Sequence, residues 1–551
     1  MPRRLVPYAL LLLLMWFLPL GAWHLFDPDE GRYAEIPREM VATGDWVTPR
    51  LNAIKYFEKP PLQYWATAAA FEAFGVHDWT ARLWPALSGA LGVLLAAWLG
   101  MSVYGRSAGL LAGLVLAGSG YYYVFAHMAT LDMSLSFALQ LALSGLVLLV
   151  AGGRGAPAGE VNAAARAARL APWLLALGVA LAFLAKGLVG VLIPVATAGL
   201  YVLLRRDWSL ILRSRPWWSL LALLVLAGPW VYAVSTRNPE FAHFFFVHEH
   251  FQRFLTRVHD RYEPDWFFVP VLLLGFVPWT TLLPRIATDA WRDARGGDGT
   301  AWMLALWTVF VFVFFSLSQS KLVPYIVPLF PALALLAGRT IDRMEPRRLA
   351  LHLAVVALAS LLLLAALAWY AGTVAGVRRV GQLGAAGMTG LVVSLALGAA
   401  CCAAGAWLVR RGNRLAGVFA ATIATVVTVT GLLCSSNAVE RQRDQMAVIA
   451  SLRSALKPDS EFYCVADYTQ PVTYYLRRTC TIVQYEGELE LGLRQEPWRL
   501  VPDLEAFAAR WRADADPVAL IRPDAHAELG RMGVPMRVIY TSRSYVAVVR
   551  Q

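Results

Sequence analysis

Long apolar runs recur along the chain from its start to about residue 435, each near the roughly 20 residues that cross a hydrocarbon core, with short polar links between them. On this pattern helices are expected near residues 5–24, 83–103, 108–128, 133–152, 171–185, 188–204, 216–235, 266–284, 301–318, 323–338, 349–371, 386–409 and 415–435. They amount to about thirteen spans, an odd number, which sets the two ends of the chain on opposite sides of the membrane. The first run, Leu5 to Trp23, reads as a retained helix and not a signal peptide, because its flank lacks a small-residue cleavage pattern and further spans follow. After Cys434 the pattern changes. EFYCVADY, TCTIVQY, PVALIR and MRVIYTSRSYVAVV read as strands, and DLEAFAARWRADA and DAHAELGRM as helices. The expected fold is an α-helical polytopic membrane domain over residues 1–435 followed by a small external α/β domain over residues 436–551.

Composition excludes a soluble enzyme: of 551 residues, 58% are hydrophobic and only 16% charged, too few charges to cover a water-facing surface of this size. A net charge of +12 would suggest nucleic acid in a soluble protein. Here much of it lies in short links, at Arg3 and Arg4, Arg106, Arg154 with Arg166 and Arg169, Arg205 and Arg206, Arg292 and Arg295, Arg343 with Arg347 and Arg348, and Arg410 with Arg411. That pattern orients helices with these links cytoplasmic and leaves no role for nucleic acid. The opposite side then carries the longer loops, near residues 25–82, 236–265 and 318–325, and the C-terminal domain. Cys464 and Cys480 fall on neighbouring strands in an oxidising compartment, as either a disulfide or two core thiols.

The first external loop mixes Asp27, Asp29, Glu30, Arg32, Glu35, Arg38, Lys55, Glu58 and Lys59 with aromatic residues. Such a mixture suits an amphipathic segment in the interface, which serves either membrane anchoring or substrate binding. In YFEKPPLQYW, Pro60 and Pro61 stiffen the backbone after Glu58 and Lys59, leaving either a loop ion pair or a charge pair set for a polar headgroup. Asp132 stands between two apolar spans; facing the bilayer centre it would cost roughly 2.5–3.5 kcal/mol, so it faces a cavity or the interface, or caps a helix N-terminus. Lys186, before Gly187, is its basic counterpart at an external turn, or a lysine snorkelling to the interface.

The segment from Glu240 to Trp266, EFAHFFFVHEHFQRFLTRVHDRYEPDW, combines an aromatic stripe with a basic face and reads as a headgroup surface. Its histidines lack the i, i+4 spacing of a zinc helix, and a metal shared between Glu58 and His248 stays as an alternative. In SQSKLVPYIVPLFPALALL, Lys321 and Tyr325 flank the external mouth of a span, and a lysine there runs against the orientation rule.

Taken together, DPDEGRYAE, FEKPPLQYW, Asp132, HFFFVHEHFQRF, SQSKLVPYIVPLFPALALL and an external C-terminal domain resemble the lipid A aminoarabinose transferases, membrane-embedded glycosyltransferases of the GT-C fold. The resemblance covers essentially the whole chain. It implies transfer of 4-amino-4-deoxy-L-arabinose from undecaprenyl phosphate to lipid A by a monomer in the bacterial inner membrane, with its site facing the periplasm, and resistance to polymyxin. Asp29 and Asp132 match the family's acidic positions, and Lys59, Arg253 and Tyr325 those that hold the donor phosphate. Arg32, Lys186 and Lys321 are further substrate-binding candidates. Glu58 and His248 match a metal-binding pair that could hold zinc, although no cofactor is required. A related enzyme using another polyprenyl-phosphate sugar, with a protein or glycan acceptor, would look much the same. A lipid transporter or flippase would spread its charges through the membrane's thickness, whereas here they gather on one side.

Overall fold

The computed structural model describes residues 6–152, 161–246 and 263–551. Among them, nine helices are long and apolar enough to cross a membrane, or eleven if each of two bent pairs is one span, with Val6–Gly21 and Val189–Arg205 shorter. Each expected position thus carries helix, two of them as bent pairs and two as shorter helices. One bent pair, Arg106–Ala117 with Gly120–Ala126, turns by 65°; the other, Phe268–Gly275 with Thr280–Arg295, turns by 110°. Pro278 lies in the second break, where it has no N–H to donate and clashes with the preceding turn. Beyond that break, Ile286, Ala290 and Ala294 are buried at four-residue spacing while arginines and aspartates occupy the rest, so this stretch is an amphipathic helix.

The first loop folds into helix Asp29–Thr43, strands β1 (Arg50–Leu51) and β2 (Ile54–Lys55), and helix Leu62–Phe74. An interfacial segment was expected here; instead Asp29–Thr43 is buried on most sides, from Glu30 through Pro37 and again at Glu39 and Met40. Its start is pinned by a fully buried ion pair. The Arg82 guanidinium donates to the Glu30 carboxylate at 2.8 and 2.9 Å and to the carbonyls of Leu20, Trp23 and His24. The backbone N–H groups of Phe26 and Ala129 complete the carboxylate's shell. Every charge has partners, which a buried pair requires if it is not to destabilise the fold.

The C-terminal sheet has the order β5-β4-β3-β6-β8-β7, built from β3 (Phe462–Val465), β4 (Thr481–Val483), β5 (Leu500–Val501), β6 (Val518–Ile521), β7 (Met536–Thr541) and β8 (Val546–Arg550). β3 to β6 pair in parallel, and β8 runs antiparallel to both β6 and β7. Because successive side chains alternate between faces, Tyr463 and Val465 pack under helix Leu504–Ala513 with Phe507 and Trp511, while Phe462 and Cys464 face the other way. That second face meets the first loop: Tyr33, Ile36, Met40, Leu51 and Ile54 share one core with Phe462, Cys464, Ile482 and Leu520. The sheet is therefore seated on the loop, sharing its core. A Cβ on Gly31 would come within 2.5 Å of Pro471, so only glycine allows this approach. Asn52 exchanges two 2.8 Å hydrogen bonds with the backbone of Cys480, and Arg50 pairs with Glu496 at 2.9 Å. Cys464 and Cys480 are joined, with Cα atoms 5.9 Å apart.

Candidate active site

Asp29 begins the first-loop helix and is the outward member of its turn, with 54% of its side chain exposed and Oδ1 3.2 Å from Arg32 Nη1. Arg32, three residues along the same face, is nearly buried and also pairs with Glu488 from the C-terminal sheet domain. Gln470 donates to that same Glu488 carboxylate. Burial raises the Glu488 carboxyl above its ordinary range, with Arg32 pulling it back. Burial would lower the Arg32 guanidinium, but the Glu488 carboxylate beside it holds it well above its usual value. Glu488 was not legible in the sequence, where GELELG matches no motif and its partner lies more than four hundred residues away.

Three buried tyrosines lie near Arg32. Tyr33 stacks on Tyr64 with ring centroids 6.0 Å apart, and Tyr56 is buried against Arg32. Burial pushes the phenols of Tyr33 and Tyr56 well up, so both stay neutral donors. The Asp29 and Asp132 charges both add to the upward push on the Tyr33 phenol.

Asp132 is the first residue of helix Asp132–Gly152, and Lys186 the last of helix Arg169–Lys186. Each charge thus sits at the helix end whose dipole favours it. Their side chains meet at 2.5 Å, only 10% and 15% exposed, so the pair satisfies itself instead of facing lipid. Gly187, at φ +77°, makes the tight reversal after Lys186. The Lys186 ammonium also lies 4.5 Å from the centre of the Tyr325 ring, a cation–π contact that fixes the phenol's position. Lys59 donates to the Glu58 carbonyl at 2.8 Å and stands 3.8 Å from its carboxylate. Lys321 is buried, donating to the Glu263 carbonyl at 2.7 Å and lying 3.5 Å from Asp265, where it holds the returning end of the loop at 236–265.

The structure thus gathers Asp29, Arg32, Glu58, Lys59, Asp132, Lys186 and Tyr325 on the side of the molecule that carries the C-terminal sheet. Arg253 and His248 lie outside the described residues. Among those described, no group of three or more histidine, cysteine or acidic side chains could hold a metal ion. Glu58 sits beside the Lys59 ammonium and in the field of Arg32, a poor setting for a divalent cation, so the zinc alternative gains no support. Within the aromatic stripe Phe245 is fully buried, with Phe241, against Phe57, Phe183 and Trp230 and forms core there, while Phe251 and Phe254 lie outside the described residues.

Residues 3–245 match the family model described as dolichyl-phosphate-mannose-protein mannosyltransferase, and residues 448–550 that described as aminoarabinose transferase C-terminal domain. The chain is 35% identical over 347 residues to the undecaprenyl phosphate-alpha-4-amino-4-deoxy-L-arabinose arabinosyl transferase of Aeromonas salmonicida, covering 62% of this chain and 61% of that one. It is 36% identical over 337 residues to the protein of the same name from Pseudomonas aeruginosa, covering 60% and 58%. The matches thus span about three-fifths of the length of these curated relatives. Two crystal structures of ArnT from Cupriavidus metallidurans, 34% identical, extend the likeness to 99% of this chain and 97% of theirs. The apo form gives a TM-score of 0.89 and the form bound to undecaprenyl phosphate 0.88. An oligosaccharyltransferase from Archaeoglobus fulgidus, 13% identical with a TM-score of 0.52, shares the fold alone. Since the likeness at 34% identity runs through both the helical domain and the C-terminal sheet, the chain belongs to the aminoarabinose transferase family of multi-pass membrane glycosyltransferases.

Proposed function

We propose that the chain transfers 4-amino-4-deoxy-L-arabinose from undecaprenyl phosphate to a phosphate of lipid A at the periplasmic face of the bacterial inner membrane, and so raises resistance to polymyxin and other cationic peptides. The observation that supports this reading is the likeness, at 34% identity over 99% of this chain, to the structure bound to undecaprenyl phosphate, with Asp29 exposed beside Arg32 and Asp132 buried on Lys186. In the reaction the bond between the sugar C1 and the donor phosphate oxygen breaks, and its electron pair leaves with that oxygen. An oxygen of the lipid A phosphate forms the new bond to C1. The leaving oxygen gains charge, which Lys59, Arg253 and the Tyr325 hydroxyl stabilise in a water-poor site. The acceptor is already largely ionised, so the step needs little help from a base. Asp29 acts instead on the positive charge that develops at C1, while Asp132 anchors Lys186 over Tyr325.

Mass spectrometry of lipid A from cells with and without the chain tests the donor and acceptor together. A mass gain of one aminoarabinose that depends on the chain is expected; unmodified lipid A with the protein present in the membrane overturns the proposal. The mannosyltransferase family model over residues 3–245 supports a second reading, a mannosyl donor and a protein acceptor. It predicts mannosylated protein and unchanged lipid A.

A further inference from the structure

A groove of about 590 Å³ runs between helices Asp132–Gly152, Arg169–Lys186, Val189–Arg205 and Pro216–Leu226, toward the end of the molecule that carries Arg205. Its lining is apolar apart from Ser214, Ser219 and the Trp208 indole. Val195, Leu203, Ile211 and Leu220 line it and are exposed, so it opens sideways, where the bilayer lies. One wall is set back at Gly199, in mid-helix, where a Cβ would meet nothing within 4 Å. Glycine there weakens the helix relative to alanine, and no neighbour fills the space it leaves.

The chain that flanks the groove is cationic. Between its two flanking helices the chain reads RRDWSLILRSRP, Arg205 to Pro216, and the one acid, Asp207, is taken by Arg213 at 2.6 Å. Arg205, Arg206 and Arg215 are exposed and form no ion pair among the described residues; Arg205 lies against the Trp302 ring, at 5.9 Å. An apolar slot open to the bilayer, flanked in the chain by three arginines that form no ion pair among the described residues, is complementary to one kind of molecule: a lipid with an anionic headgroup. We propose that the groove is a binding site for an anionic phospholipid of the leaflet opposite the reaction, with an acyl chain beside Gly199 and the phosphate on Arg205, Arg206 and Arg215.

Native mass spectrometry of the full-length protein, titrated with phosphatidylglycerol or with phosphatidylcholine of the same acyl chains, tests this. Phosphatidylglycerol is expected to be retained at lipid concentrations on the order of tenfold lower, and the combined change of Arg205, Arg206 and Arg215 to Gln to erase that preference. Gly199→Leu, which fills the slot, should lower retention of both lipids while the unfolding temperature holds. If that variant does not purify, Leu203→Phe on the exposed wall occupies the same space. Equal retention of the two lipids by the wild type, or a preference that survives the triple change, overturns the proposal. So does retention of undecaprenyl phosphate in place of phosphatidylglycerol, lost in Gly199→Leu, which would give the groove to a polyprenyl tail.

Discussion

Glu30 and Asp29 share a peptide bond, yet the Glu30 carboxylate is fully buried with four N–H donors, while the Asp29 side chain is 54% exposed and meets Arg32 alone among its described contacts. The two lie on different faces of one helix turn. The inward face is closed: it ties the loop to the membrane helices through Arg82. The outward face is open, and its carboxylate keeps hydrogen-bonding capacity for something that arrives. Charge at the membrane edge thus has two meanings here, and the count of satisfied partners separates them.

The largest effect that would sharpen this comparison is on the closed face. Glu30→Leu leaves the Arg82 charge buried without its carboxylate, a change of about 3–5 kcal/mol. The variant should be lost from the membrane, or melt far below the wild type in detergent, on a fluorescence-detected thermal scan. A normal melt would mean that this pair is not what fixes the helix. Next is the seat of the loop on the sheet. Cys464 and Cys480 are 16 residues apart, and replacing both with Ser should lower stability by about 3 kcal/mol through the freed unfolded loop. The proposed site keeps its own contacts, so turnover at moderate temperature should persist; a loss of turnover without a loss of stability would tie the bridge to the chemistry.

How much of this was legible depended on range along the chain. Apolar periodicity placed the helices, and alternation placed β3, β4, β6 and the β7–β8 pair, because both are local patterns. Asp29, Asp132 and Lys186 were legible because charge next to an apolar run is conspicuous. Glu488 and the seat of Pro471 on Gly31 were not, since they exist only once distant segments pack. The breaks at Ser119 and Pro278 escaped for another reason: hydropathy measures the length of a run and is blind to its direction. Phe245 misled because an aromatic stripe looks the same whether it meets lipid or a second aromatic layer.

A further effect concerns Glu39, one turn beyond Glu35 on the buried side. Its Oε2 accepts from the Ala53 N–H at 2.8 Å, and burial together with the Glu35 charge raises its pKa to about 8. Because the folded-state value lies above the unfolded one, this group's contribution is fully present below about pH 4.5 and is lost as pH rises toward 8. Glu39→Gln cannot ionise, so stability followed by denaturant titration across that window should depend less on pH than in the wild type. An unchanged slope would place the proton elsewhere.

On the proposed function, Asp29 serves chemistry and not solvation. Its control is Asp27, two residues earlier, whose carboxylate pairs at 3.0 Å with the exposed Arg441. The direct measurement is the rate of aminoarabinose transfer to lipid A by Asp29→Asn and Asp27→Asn in membranes of matched protein content. The account predicts a loss of about a hundred- to a thousandfold for Asp29→Asn, the usual effect of removing a group that stabilises transition-state charge, with Asp27→Asn near the wild type. Equal and mild losses at both positions would contradict it.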